Sequence, residues 1–193
     1  MDPERLPDDT EEMRAVGMGA VYTATSGRGV LLEQDSLRDA ALVTRYFAPY
    51  AEALTHLVDQ RIAATGRAVI IDLHSYPKAA LPYELHAGTR RPEVCLGVDD
   101  FHTPDWLLSA AQSAFAGVGD VDMPFAGTYV PLRHFSKDNR AVSVMIEIRR
   151  DTYMYEPGGE MHGGAGEVVK ALTQVVRSVD GEYGTRSVPC FEP

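Results

Sequence analysis

The sequence predicts an α/β protein, a three-layer α/β/α sandwich built on a mixed, largely parallel sheet. Three observations carry this expectation. Ala68 to Leu73 (AVIIDL) and Ala141 to Ile148 (AVSVMIEI) are near-continuous aliphatic runs, the pattern of strands covered on both faces. Amphipathic stretches with helical spacing stand between and after them. The resulting order, strand and helix in alternation, is that of layered α/β domains.

Taken in chain order, residues 1–15 are rich in Asp, Glu, Pro and Arg and read as an irregular lead-in. Val16 to Ala24 is apolar enough for a short strand, weakened by its glycines. Ser36 with Asp39 three residues on has the spacing of a capping box and starts a helix. Pro49 should interrupt that helix, because proline lacks a backbone donor and disfavours helix in its predecessor. Beyond it Leu54, Leu57, Val58 and Ile62 form one apolar stripe, and Gly66 is the stop. After the first strong strand, Val94 to Val98 can form another. Thr103-Pro104 reads as an N-cap and an N1 proline for a helix bearing Leu107, Ala111 and Phe115. The second strong strand follows, then a glycine-rich loop from Gly158 to Gly166. A last helix from about Glu167 lines up Val168, Leu172, Val175, Val176 and Val179. Without repeats, heptads or an interior linker, residues 1–193 are expected to make a single domain.

The bulk properties narrow the function classes. With 28 acidic against 18 basic side chains the net charge is −10, so the average surface repels a phosphate backbone. Arg90-Arg91 and Arg149-Arg150 are too short to form a basic stripe, and no nucleic-acid partner is expected. No apolar run approaches the ~20 residues of a membrane helix, and the polar, acidic start is no signal peptide. Cys95 and Cys190, far apart and outside any C-x-x-C spacing, read as free thiols of a reducing compartment, the cytoplasm.

Chemistry-bearing residues gather at strand ends. The first aliphatic run ends in Asp72-Leu73-His74-Ser75-Tyr76-Pro77, and open α/β sheets place their sites where strands end. An imidazole there can offer one nitrogen to a metal while a carboxylate or carbonyl fixes the other, or simply hydrogen-bond at the strand terminus. Glu147 lies inside the second aliphatic run, where an unpaired carboxylate is costly to bury. It fits a general base made more basic by desolvation, or an ion pair with Arg149 or Arg150. Glu84 with His86 and Asp100 with His102 repeat a carboxylate-x-His spacing that shares one face of an extended chain, although solvated loop residues have it too. His162 sits in a glycine-rich loop that lacks the P-loop pattern. Ser75 is not in a G-x-S-x-G elbow, and Cys95, in an apolar stretch, fits packing better than nucleophilic attack.

These residues resemble the N-formylglutamate amidohydrolases from Asp2 to about Tyr155. The likeness rests on Asp2-Pro3-Glu4-Arg5, Gly17-Met18-Gly19 with Tyr22, and Tyr46 to Tyr50 (YFAPY). It continues through Ile71-Asp72-Leu73-His74-Ser75, Arg91-Pro92 with Gly97, Asp99-Asp100, and Pro124-Phe125-Ala126-Gly127. It ends on Met145-Ile146-Glu147-Ile148-Arg149-Arg150 with Tyr153-Met154. The D-x-H-S strand end and the I-E-x-x-R-x-x-Y-M block, at this separation, are together specific.

The family is similar in fold to zinc carboxypeptidases and aspartoacylase-like deacylases, a phosphorylase/hydrolase-like architecture. The resemblance implies a metal-bound water attacking an amide, with zinc or another divalent ion as cofactor. His74 would match a metal ligand, with Asp100, His102 or Glu84 as further candidates. Glu147 would match the glutamate that takes the proton from water and passes it to the leaving amine. Arg150 would hold a substrate carboxylate, seconded by Arg149 and Arg5, with Ser75 beside them. Family members also carry an upstream His-Ser-Gly-type strand end and an acidic segment without counterpart here. A member lacking its N-terminal segment is therefore expected, holding zinc weakly. The implied activity is metal-dependent hydrolysis of N-formyl-L-glutamate or a similar N-acyl amino acid, with a small acidic molecule as partner and no membrane. The alternatives are a carboxypeptidase-like deacylase for another acidic metabolite and a catalytically silent truncated domain.

Overall fold

In a computed structural model, which describes residues 1–115 and 119–185, β1 (Ala68–Tyr76), β2 (Val94–Gly97), β3 (Gly119–Val121) and β4 (Ala141–Arg149) form one sheet in the order β1-β4-β2-β3. β2 runs parallel to β3 and antiparallel to β4. Where β1 and β4 begin, Ala68 N donates to Arg140 O at 2.9 Å. Where they end, the Arg150 guanidinium donates to Ser75 O at 3.2 Å. Both strands therefore run the same way, and the sheet is mixed and largely parallel, as the aliphatic runs predict. The helices are α1 (Ser36–Leu42), α2 (Ala48–Thr65), α3 (Asp105–Ala114) and α4 (Gly164–Thr185). None of the described helices is long and apolar enough to cross a membrane.

The chain forms two compact units that alternate along the sequence. The first comprises Met1–Ile70, Ala79–Arg90 and Tyr129–Val142; the second comprises Ile71–Lys78, Arg91–Thr128 and the chain from Ser143 on. In the first, Val58 and Ile62 of α2 pack with Ala68, Ile70, Val130 and Ala141. His134, almost fully buried, lies between Asp59 (3.0 Å) and Asp138 (3.5 Å). In the second, Val94, Leu96, Val144, Ile146 and Ile148 of the sheet are buried, as are Leu107 and Ala111 of α3 and Val175 and Val179 of α4. These residues lie on the stripes that the helical periodicity picks out, but Leu57 (58% exposed) and Val176 (48%), counted in the same stripes, face solvent.

Several local expectations are corrected. Val16 to Ala24 is not a strand: a 3-10 turn over Glu12–Val16 leads into isolated bridges, Met18 to Tyr22 and Ala24 to Val30. Gly17, in the left-handed region at φ 77°, sets that bend. The cap of α1 is Asp35, one residue before Ser36; its carboxylate accepts from Leu37 N and Arg38 N. Pro49 does not interrupt the helical path, because it falls in the first turn of α2 behind a π-type turn over Val43–Phe47. Thr103 is not the cap of α3; Pro104 holds that place, and the Thr103 hydroxyl donates to Ser143 O at 2.7 Å. Leu73 is half exposed, at 52%, so the face of β1 that it points from is not covered along its whole length, against the expectation of a strand covered on both faces. The thiol of Cys190 lies outside the described residues.

One ion pair of the first unit has a consequence for acid stability. The Arg140 guanidinium hydrogen-bonds Asp138 at 2.8 and 2.9 Å and, with the backbone N–H of Arg140 and with His134, holds the carboxyl well below the usual carboxylate range. A depressed folded-state value contributes stability above the unfolded value of about 3.9, and loses it as pH falls through the folded value. Asp138→Asn should therefore lower stability at neutral pH and flatten its decline below about pH 4. Urea unfolding of both proteins at pH 7 and pH 3 measures this; identical pH slopes would refute it.

Candidate functional site

Strand pairing brings His74 and Glu147 together. The Ala68 N to Arg140 O bond is the parallel-ladder bond that sets Ala68 beside Ala141. His74 is six residues past Ala68 and Glu147 six past Ala141, so the two stand level on neighbouring strands. On the other side Glu147 is paired with Cys95 of β2. Side chains alternate along strands, so Asp72, His74 and Tyr76 share one face with Met145, Glu147 and Arg149 and with Cys95 and Gly97. The apolar partners of β4 (Val144, Ile146 and Ile148) occupy the opposite face, which is why Glu147 interrupts a run that is otherwise buried.

Within this face His74 is oriented from its own strand. Its Nε2 lies 2.7 Å from Asp72 Oδ1, the i, i+2 geometry of an extended chain. The His74 side chain remains 32% exposed and that of Asp72 only 11%, so a largely buried carboxylate backs an imidazole open to solvent. Such a carboxylate fixes the tautomer and the orientation of the imidazole.

The segment Pro124 to Gly127 closes over β2. Asp122 Oδ1 accepts from Val98 N and Gly127 N, and the Phe125 carbonyl accepts the Cys95 thiol at 3.1 Å. Phe125 meets the Tyr76 ring edge to face, with centroids 5.3 Å apart. The Tyr76 hydroxyl donates to Pro92 O, and burial pushes its pKa up. Burial also raises the Cys95 thiol, to about 11, against the opposing pull of the Phe125 and Met123 backbone. A protonated, fully buried thiol is no nucleophile. Iodoacetamide at pH 8 should therefore leave Cys95 unlabelled in the folded protein and label it in denaturant; peptide mapping reads this directly, and rapid native labelling would contradict it.

The other residues singled out by sequence fall in different places. Arg149 shares the Glu147 face, but its guanidinium forks onto Asp151 (2.6 Å) and donates to Arg91 O. Lys78 also pairs with Asp151 at 3.0 Å, and both cations, against burial, hold that carboxyl low. Arg150 donates to the hydroxyl and carbonyl of Ser75, a tie between the ends of β1 and β4. Arg5, in the first unit, pairs with Asp2 (3.3 Å) and Glu11 (3.2 Å). Glu84, also there, accepts from Leu81 N and closes its own turn. Asp100 is exposed. His102 is wholly buried, and its carbonyl accepts from Ser143 N. Ser143 is four residues before Glu147 on β4, roughly 13 Å along the strand. His162 ties a loop to a helix start: Nδ1 accepts from Gly164 N and Nε2 lies 3.1 Å from Asp151 O. Sequence reasoning gave no role to Asp72, Tyr76 or Arg91. An Asp two residues before His74 in a strand was the available signal for the first; the others depend on long-range packing.

Among the described residues no three His, Cys, Asp or Glu side chains gather as a metal-binding group. Chemically, the face offers one oriented imidazole, one carboxylate level with it and a basic cluster at the strand ends. That combination suits proton transfer beside an anionic substrate.

Comparison with known proteins adds the ancestry. The family model described as N-formylglutamate amidohydrolase matches residues 1–154. Among solved structures, the fold is similar to that of an N-formylglutamate amidohydrolase from Ralstonia eutropha JMP134, with a TM-score of 0.76 at 20% identity, over 96% of this chain and 75% of that one. It is also similar to a gene product from Agrobacterium tumefaciens, with a TM-score of 0.64 at 16% identity, over 93% of this chain and 66% of the other. No curated protein matches the sequence.

Proposed function

We propose that this chain, which belongs to the N-formylglutamate amidohydrolase family, uses Glu147 and His74 to hydrolyse the formyl amide of N-formyl-L-glutamate. Membership makes it a hydrolase acting on a linear amide C–N bond. What supports the assignment of residues is the level placement of His74 and Glu147 on adjacent strands of one face.

Glu147 takes a proton from water as the water oxygen attacks the formyl carbon. His74, oriented by Asp72, donates a hydrogen bond to the carbonyl oxygen as it gains negative charge. The proton on Glu147 passes to the amide nitrogen, the C–N bond breaks, and formate and glutamate leave. The family also implies a divalent metal, zinc first, for which His74 is the donor on this face. A catalytic zinc is ordinarily held by three protein ligands, and the described residues do not assemble three. This donor set does not complete a zinc site, and no step above runs through a metal; zinc held weakly is the corresponding expectation. The proposed compartment is the cytoplasm, where Cys95 and Cys190 would stay reduced.

Formate release from N-formyl-L-glutamate, with and without added zinc, tests the activity alongside N-acetyl-L-glutamate and a neutral formamide. Preferential turnover of the formyl dicarboxylate is expected. No formate from any N-formyl amino acid under either condition would refute the reading, and stoichiometric, tightly held zinc in the purified protein would refute the metal expectation.

A further inference from the structure

We infer that the outer edge of β1 pairs antiparallel with the same edge of a second copy of the chain, joining two four-stranded sheets across a two-fold axis. β1 (AVIIDLHSY) opens on a continuous aliphatic run, the pattern of a strand enclosed by neighbours, yet it stands last in the sheet. Strands that end a sheet are ordinarily very short, or carry charge or proline that discourages further pairing. β3, at the other end, fits that rule: it spans three residues, and Asp120 is one of them. β1 spans nine residues without a lysine or a proline.

Pairing geometry selects the groups on offer. The bond from Ala68 N to Arg140 O turns Ala68 and every second residue after it toward β4. Val69, Ile71 and Leu73 therefore direct their backbone N–H and C=O groups away from β4. Their side chains share the face of Val144, Ile146 and Ile148, opposite the face of His74 and Glu147. Those three of β4 are buried, whereas Ile71 is half-buried and Leu73 is 52% exposed. The face is closed over β4 and open over β1.

The position of the axis decides which side chains meet. An axis through Asp72 would set two carboxylates face to face. An axis through Leu73 would use Ser75, whose carbonyl already accepts from Arg150. An axis through Ile70 would carry Leu73 past the aliphatic run, opposite Arg67. An axis through Ile71 avoids all three. It sets Ile71 against Ile71 and, on either side, Val69 against Leu73, so the exposed aliphatic side chains of both copies close one patch. Each of these pairs exchanges two backbone hydrogen bonds. Asp72 then lies opposite Ile70 of the second copy rather than another acid. The edge thus matches itself in length, in apolar pattern and in the place of its one acid, as a two-fold partner requires. None of the side chains that meet on the patch is charged, so two chains of net charge −10 join without setting like charges together there.

Sedimentation velocity of the full chain across a wide range of concentrations should show a monomer that passes to a dimer and stops there, with the micromolar affinity of a small interface. Leu73→Lys places a charge on the open edge at a position already half exposed. It should raise Kd at least about tenfold and leave the melting temperature unchanged. Oxidative cross-linking reads the register, with both cysteine variants carrying Cys190→Ser, since Cys95 is buried. Ile71→Cys sits on the axis and should form a disulfide-linked dimer. Leu73→Cys stands roughly 14 Å from its counterpart, beyond a disulfide's reach, and should not. A chain that stays monomeric, that grows beyond the dimer, or that dimerises equally well as Leu73→Lys would overturn the inference. So would an Ile71→Cys variant that cross-links no faster than Leu73→Cys. Should Leu73→Lys not fold, the cross-linking contrast decides.

Discussion

Glu147→Gln should lower kcat by roughly 10²–10⁴-fold, the usual contribution of a general base, with little change in melting temperature. The substitution keeps volume and hydrogen-bonding shape and removes the ability to hold a proton. Glu147 stands between His74 on β1 and Cys95 on β2, level with both, so its neighbours need not move to accept an amide. KM should change far less than kcat, because the role lies in the transition state rather than in binding. Formate release kinetics and a melting curve are sufficient. A normal rate, or a protein that no longer folds, would make Glu147 part of the scaffold and remove it from the chemistry.

Much of the frame behind that experiment was legible from residue order alone. The two aliphatic runs became β1 and β4, and the one acid within the second run became a residue of the face that also carries His74. Period-two alternation explains why: a carboxylate at position 147 points away from Val144, Ile146 and Ile148 whatever the details of packing. The helical stripes at Val58 and Ile62, and at Val175 and Val179, were equally readable, because burial follows the 3.6-residue period. The segment from Val16 to Ala24 was misread because its apolar residues alternate with glycines, and only the positive φ of Gly17 reveals a bend there. Which partners each arginine takes was not readable. Arg91, Arg149 and Arg150 are alike in sequence, and the fold sets different groups against them: Pro77 O and the Tyr76 ring against the first, Asp151 against the second and Ser75 against the third. A guanidinium reaches far enough that its partner is decided by tertiary contact, not by local pattern.

The same dependence on close packing makes Gly97→Ala the most damaging small substitution expected on this face. An alanine Cβ there would stand 2.0 Å from the Gly127 carbonyl oxygen and 2.4 Å from the Met145 methyl. Met145 ends in a flexible methyl that can turn aside, but the Gly127 carbonyl is backbone. That backbone is held by the Gly127 N–H on Asp122 and, two residues earlier, by the Cys95 thiol on Phe125 O. Relief therefore requires the Pro124–Gly127 segment to lift off β2, and the cost should be roughly 2–4 kcal/mol, at or above the usual range for overpacking. For a chain of this length that is a fall of roughly 5–15 °C in melting temperature. Gly166→Ala supplies the comparison, since it removes the same backbone freedom in α4 where nothing lies within 4 Å of the added methyl. That variant should be neutral or more stable by up to about 1 kcal/mol, because alanine favours helix over glycine. The contrast isolates the clash from the entropy of the unfolded chain. Lifting the segment also shifts Phe125 from the Tyr76 ring, which it meets edge to face two residues past His74 on β1. If Gly97→Ala melts within a degree or two of wild type, the segment does not rest on β2 as described, and the wall of the site is built by something else.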